Sequence, residues 1–190
     1  MNTPAHLLIN LLALGRKERP PEQMAILGGA ILPDAPMFLF YFIEKVVREV
    51  PESLIWSHDY YLAPWQNFID SFNSLPLIGL GLLFTWKMRS RAGQLLFLSM
   101  VLHVFGDLPL HHDDAHRHFF PLSDWRFESP ISYWDPSHYG NIVTGLEVLA
   151  VLVCAGLLFC STKYLVTKWV VGGIGLSYVI FFGYALWMWI

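Results

Sequence analysis

The sequence predicts an all-α fold, a polytopic membrane helical bundle of about four spanning helices plus two short or broken ones. Three observations predict it. Of the 190 residues, 55% are hydrophobic and 14% are charged, against about 25% charged in soluble domains. Two long apolar runs close the chain. Eight Trp, eight Tyr and fourteen Phe supply the amphipathic rings that settle at lipid–water interfaces. No linker or low-complexity tract divides the chain, so residues 1–190 read as a single integral-membrane domain.

The elements follow in order. Thr3 to Leu14 is apolar but too short to cross alone; Thr3 is placed to cap it, with Pro4 at the first helical position. Gln23 to Ile43 is long enough, but Pro33-Asp34-Ala35-Pro36 breaks it near its middle. Ile69 to Trp86 is a marginal span, with Asp70 and Asn73 near its start and Pro76 in a tolerated first-turn position. Gln94 to Leu110 is a short span ending beside Pro109 and a His/Asp cluster. Val143 to Thr162, interrupted only by Glu147, and Val166 to Ile190 both clear the roughly 18 to 20 residues that a crossing requires. Residues 143–190 are thus two generic spanning helices. Cys154 and Cys160, at i and i+6 in an apolar run, read as buried thiols rather than as a zinc knuckle or redox pair. The start, Met-Asn-Thr-Pro-Ala-His, lacks the basic region of a secretory signal and is expected to be retained. The net charge of −3 comes with no basic stripe, which gives nucleic-acid binding no support.

Three short connections carry the basic residues: Arg16, Lys17 and Arg19; Lys87, Arg89 and Arg91; Lys163 and Lys168. The positive-inside rule puts all three on the cytoplasmic side. Val46 to Asn67 and His111 to Asn141 then fall on the opposite side, together with His6, Asp34 and Asp107.

His103 and Asp107 stand at i and i+4, on one face of a helix, within a stretch as apolar as a span. Ionisable groups there are costly and mark functional sites. His6 taken alone reads equally as a hydrogen-bonded core residue, and Asp34 between two prolines as an Asx-turn. Together the four place imidazole and carboxylate in apolar surroundings, chemistry that suits zinc, manganese or iron better than calcium. The loop that follows is denser, with His111, His112, Asp113, Asp114, His116 and His118 inside eight residues. It reads either as a solvated polar loop or as the source of a second metal position and a general base. Spacing does not choose among the six. The remainder, Phe119 to Gly140, alternates aromatic with polar residues, as a wall of the pocket or an ordinary interfacial belt would.

These features together carry a resemblance. A His within the first ten residues, Leu32-Pro33-Asp34 after a Gly-Gly-Ala helix, and His-x-x-x-Asp at 103–107 occur in one chain. His-His-Asp-Asp-Ala-His and Pro-Leu-Ser-Asp-Trp-Arg-Phe follow. The chain resembles the bacterial membrane-bound metal-dependent hydrolases, relatives of the LexA-regulated inner-membrane hydrolase, as far as about Gly145. More distantly the ligand order is similar to that of zinc-dependent phospholipase C and single-strand nucleases. The resemblance implies a membrane-embedded hydrolase of a phosphoester or lipid-like substrate in the prokaryotic plasma (inner) membrane. Its cofactor would be a divalent metal, zinc in the first instance, and its partners membrane lipids and an amphiphilic substrate. It makes 1–145 the metal-site region, with His6, Asp34, His103 and Asp107 as ligands and Asp107 able to bridge two ions. His112 is a further candidate ligand, and Asp113, Asp114 and His116 are candidate catalytic bases. The family pattern usually has a His where Asn73 stands; His58, with Asp59 behind it, is the candidate substitute. A non-catalytic membrane metal-binding, transport or assembly protein with a degenerate site is the alternative, and Asn73 is what favours it.

The predicted sidedness is testable. A cysteine at Ser137 is expected to react with an impermeant thiol reagent applied to intact cells and a cysteine at Ser90 to be protected; the reverse pattern would overturn the orientation.

Overall fold

The computed structural model describes residues 1–189, with side chains described through Tyr184; Ile190, the last residue of the expected final span, lies outside the described residues. The fold is all-α, with no strand among those residues. Nine α-helices are described: α1 (Thr3–Leu14), α2 (Pro20–Ile31), α3 (Ala35–Phe42, continued by a π-turn to Val47), α4 (Glu52–Ser57), α5 (Ala63–Phe72), α6 (Leu75–Lys87), α7 (Arg91–Asp107), α8 (Gly140–Ser161) and α9 (Leu165–Trp189). Two of them, α8 and α9, are long and apolar enough to cross a membrane. The number rises to four if each of two bent pairs counts as one span.

Those bent pairs are where the sequence put its difficulties. α2 and α3 meet at 56° around Pro33-Asp34, as the two prolines require. The expected span Ile69 to Trp86 is instead two helices, α5 and α6, meeting at 40°. Here the backbone stops at Asn73, and Ser74 restarts it by accepting a hydrogen bond from the Leu77 N–H. The span expected from Gln94 begins earlier, at Arg91 under a Ser90 cap, and ends at Asp107 after 17 residues. Thr3 is not the cap of α1: Asn2 precedes the helix, and the Thr3 hydroxyl turns away to Asp34. Of the two thiols, Cys154 is buried as expected, but Cys160 is exposed, because six residues of helix rotate it off the face that Cys154 shares.

α1, α2 and α7 form the centre. The Ser99 hydroxyl donates to the Ile26 carbonyl at 2.7 Å, and the Asn10 amide donates to both Ser99 oxygens at 2.9 Å. One serine thereby ties three helices. Gly29 lets α2 approach α7 closely: a Cβ there would lie 2.1 Å from the Leu96 carbonyl oxygen. The outer faces of α8 and α9 expose Leu146, Leu149, Val153, Leu157, Leu176 and Phe181, the pattern of helices that face lipid. The basic connections gather at one end, where Arg91 reaches Glu18 at 2.5 Å and Thr167 donates to Gln23 at 2.6 Å. At the other end α1 is clamped to the last two helices. Buried Glu147 of α8 accepts from the Asn2 backbone N–H (3.1 Å), the Asn2 side-chain amide (2.8 Å) and the Tyr178 hydroxyl (2.8 Å).

Replacing Glu147 by Ala strands all three donors and is expected to destabilise the protein by about 1–3 kcal/mol, with Glu147→Gln milder. Chemical unfolding in detergent checks it, and equal stability of all three proteins would show that the clamp contributes nothing.

Candidate metal centre

The centre is assembled at the end of the bundle opposite the basic connections. α7 presents His103 and Asp107 one turn apart, α1 presents His6, and the α2–α3 break presents Asp34. His6 and His103 are fully buried, Asp107 is 1% exposed and Asp34 is 8% exposed. His6, His103 and Asp107 each offer one ligand atom, all within 4.8 Å of one another, and this buried group can hold a metal ion. Asp107 sits between the two imidazoles: its Oδ1 is 2.9 Å from His6 Nε2 and its Oδ2 is 2.9 Å from His103 Nε2. Asp34 Oδ1 stands 3.4 Å from His103 Nε2. The two rings stack, 3.6 Å apart and 9° from parallel. Gly106 makes room for this, since a Cβ on it would lie 3.2 Å from His6 Cε1.

The hydrogen bonding of His103 favours a cation. Its Nδ1 lies 2.8 Å from the Ala30 carbonyl oxygen, which accepts and cannot donate, so Nδ1 carries a proton. In the neutral ring Nε2 is then a lone pair facing two carboxylates. That atom is buried and makes no well-aligned hydrogen bond despite its short distances, and His6 Nδ1 is likewise buried without a partner. His103 Nε2 and the facing oxygens of Asp107 and Asp34 share one volume, as the ligands of a metal ion do, with His6 reaching Asp107 through Nε2 rather than Nδ1, and the Ala30 carbonyl is the backing such a histidine takes. Positive charge is drawn here: the Met1 amino nitrogen lies 2.6 Å from Asp107 Oδ1. Asp34 does not make the capping turn that its prolines suggested. Its side chain leaves the α3 backbone uncapped and accepts from the Thr3 hydroxyl.

The loop after α7 closes over this cluster. His111, at i+4 from Asp107, directs Nε2 toward Asp107 Oδ1 (3.5 Å) and Nδ1 toward Asp114 Oδ2 (2.9 Å). Burial alone would lower the His111 pKa; the two carboxylates outweigh it and raise it to about 9. Asp114 also accepts from Trp134 Nε1 at 3.3 Å, and burial, which would raise its pKa, is overcome by His111, which lowers it. His116 is buried, with Nδ1 3.4 Å from Asp70 Oδ1. Asp70, 0% exposed, anchors the loop by accepting from Arg117 at 2.5 Å. Leu75 N–H donates to the His118 carbonyl at 2.9 Å, and Ser74 donates to that of Phe120. The break between α5 and α6 is therefore the seat of the loop.

Of the candidate ligands, then, His6, Asp34, His103 and Asp107 converge, while His58 and His112 take no part in their contacts. His58 ends α4 with a side chain 68% exposed and is engaged by Asp59 at 2.7 Å. The short helices that follow α3 leave it in solvent. His112 is tied to the Ser129 carbonyl at 2.6 Å and stacks on His138, while its neighbour His111 takes the inward position. Among the candidate bases, Asp114 faces His111, His116 faces Asp70, and Asp113 is exposed. Asn73 is buried beside Asp34's neighbour, its amide donating to the Pro33 carbonyl at 3.1 Å and to that of Ile69 at 3.2 Å, with Oδ1 left without a partner. Sequence reasoning missed the Thr3 contact, for which no spacing signal exists. It also left His111 unselected, although it stands four residues after Asp107, just past the helix end.

No family model, curated protein or solved structure matches this chain.

His118 supplies a pH test. Burial, reinforced by His116, lowers its pKa from 6.5 to about 4. The unfolded chain then binds a proton that the folded one refuses, so this group's contribution is intact above pH 6.5 and is lost as pH falls toward 4. Melting temperature measured across that window is expected to fall less steeply in His118→Gln than in the wild type; parallel curves would remove His118 from the acid transition.

Proposed function

We propose that this chain is a membrane-embedded, metal-dependent hydrolase of a phosphoester or lipid-like substrate, a member of the membrane-bound hydrolase family its motifs resemble. The observation that carries the reading is the buried convergence of His6, His103 and Asp107, with Asp34 at its edge, beneath a loop rich in His and Asp. The donor set, neutral imidazole with carboxylate, fits zinc best. His6, His103 and Asp107 hold the ion, and Asp34 is within reach to join them. When bound, such an ion supplies Lewis acidity toward a phosphoryl oxygen and makes water a nucleophile near neutral pH.

The protein's own groups supply the remainder. His111, with Nε2 3.5 Å from Asp107 Oδ1 and Nδ1 2.9 Å from Asp114 Oδ2, is placed to hold a proton between the two carboxylates. A cavity of about 300 Å³ lined by Asn2, Pro4, Ser177, Tyr178, Phe181 and Phe182 lies beside the first turn of α1. Its walls are largely apolar, as an acyl chain would favour, and none of His6, Asp34, His103 or Asp107 lines it. In a membrane, α2–α3 and α5–α6 act as broken spans beside α7, α8 and α9, with the basic end cytoplasmic and the cluster facing the other side.

Elemental analysis of the detergent-purified protein is the test, with turnover of a chromogenic phosphodiester as its second arm. The wild type is expected to carry about one or more zinc, manganese or iron ions per chain and His103→Ala/Asp107→Ala none, with turnover lost in parallel. Thr3→Val is expected to weaken metal binding by about tenfold. Metal without turnover of any phosphoester would leave a binding or assembly protein; metal in neither protein would end the metal reading.

A further inference from the structure

A groove between α6 and α7 lies at the other end of the bundle and is used by nothing above. The two helices touch along one line: a Cβ on Gly81 would clash with the Phe97 ring, and one on Gly93 would lie 2.6 Å from Thr85 Cγ2. Those pairings make them antiparallel. Beside that line they part, and Gly79, Leu82, Leu83 and Trp86 of α6 face Gln94 and Leu98 of α7 across a cavity of about 410 Å³. The α6 members stand at i, i+3, i+4 and i+7, on one face of the helix. Leu83 is 45% exposed and Trp86 64%, so the groove is open along its side. Its floor is empty at Gly79, where a Cβ meets nothing within 4 Å.

The two ends of the groove differ in chemistry. Gly79, Leu82, Leu83 and Leu98 are apolar. Trp86 and Gln94, next to the α6–α7 turn, bring an indole N–H and a side-chain amide, neither with a hydrogen-bond partner among the described residues. Just beyond them Lys87 and Arg89 are exposed and form no ion pair among the described residues. The same holds of Arg16 and Lys17 in the α1–α2 connection. Glu18 draws that connection against the turn through its ion pair with Arg91 at 2.5 Å. Glu18 thus balances Arg91 and leaves the other four cations uncompensated. The turn has a fixed shape, with Arg89 in the left-handed region at φ 53° and the Ser90 N–H donating to the Thr85 carbonyl at 3.0 Å. The remaining basic residues at this end are already engaged, Lys163 over the Tyr164 ring and Lys168 over that of Phe159.

We infer that this groove binds one anionic glycerophospholipid of the leaflet at the basic end, with an acyl chain along Gly79, Leu82, Leu83 and Leu98 and the phosphate beside Lys87 and Arg89. Gly79 and Trp86 are seven residues apart, roughly 10 Å along the axis at 1.5 Å per residue, so the groove accepts a length of acyl chain and not a headgroup alone. Burying that chain is favourable wherever the groove would otherwise hold water or pack poorly. Trp86 sits at the level where an indole ring meets lipid headgroups, and basic residues clustered beside a span attract anionic ones. Charge also decides against a second copy of this chain as the occupant. A two-fold contact through the groove places the same cations of both copies side by side, and like charges so juxtaposed oppose the contact. The site stands whether or not the buried cluster hydrolyses anything.

The experiment is native mass spectrometry of the detergent-purified full chain, titrated with dioleoyl phosphatidylglycerol or with dioleoyl phosphatidylcholine. Wild type is expected to retain one phosphatidylglycerol about tenfold or more tightly than phosphatidylcholine. Lys87→Gln/Arg89→Gln is expected to lose that preference, and Gly79→Phe, which fills the groove, to lose the tight adduct itself. Lys163→Gln/Lys168→Gln, at the same end but away from the groove, is expected to match the wild type. Melting in detergent without added lipid establishes which variants fold, and the Lys87/Arg89 variant decides the matter even if Gly79→Phe does not. Equal retention of the two lipids by the wild type overturns the site. An equal loss of preference in the Lys163/Lys168 variant overturns it too, since the effect would then belong to surface charge at large. A dimer that Gly79→Phe dissociates with lipid retention unchanged would put a second copy in the groove and overturn it as well.

Discussion

The constraint on which the rest of the structure depends is the burial of Asp107 between two imidazoles. A carboxylate this deeply buried is tolerable only if its charge is matched at close range. His6 and His103 both approach it at 2.9 Å, and Asp34 brings a second carboxylate to 3.4 Å from the same His103 nitrogen. Two carboxylates and two imidazoles in one buried volume draw positive charge, and the Met1 amino nitrogen stands 2.6 Å from Asp107 Oδ1. In low dielectric both attraction and repulsion among them are strong.

Much of the architecture can be read as the means of holding these groups together. α7 supplies its two by helical period alone. The α2–α3 break supplies Asp34 by removing helix where helix would have pointed the chain past the site. α1 is too short to span, and its first turn is instead captured on both flanks, by Glu147 on one side and by Asp34 through Thr3 on the other. The last two helices contribute no ligand, yet through Glu147 and Tyr178 they fix where His6 stands.

The sequence made some of this legible and hid the rest for physical reasons. His103 and Asp107 were readable because an i, i+4 pair in apolar surroundings has few explanations, and the bend at Pro33 because proline removes a donor. The long apolar helices α8 and α9 were readable from composition. The second break was hidden, since Asn73-Ser74 interrupts an apolar run without a proline at the interruption itself, and its cause is tertiary: the loop docks on it through His118 and Phe120. The separate fates of His111 and His112 were equally hidden. Adjacent identical residues look alike in sequence, and only the fold decides which one faces Asp107 and which faces Ser129 and His138.

Asn73 stands where the resemblance predicts a histidine, and its geometry shows what the amide does there. It donates to the carbonyl of Pro33, the residue before Asp34, and to that of Ile69 in its own helix. It thereby joins the break between α5 and α6 to the break between α2 and α3, the two irregular stretches that a membrane would tolerate least if they were left open. Its Oδ1 remains buried and without a partner, an acceptor that a neutral imidazole protonated at its other nitrogen would also present. The amide thus acts as a strut beside Asp34, joining the two breaks through the Pro33 and Ile69 carbonyls.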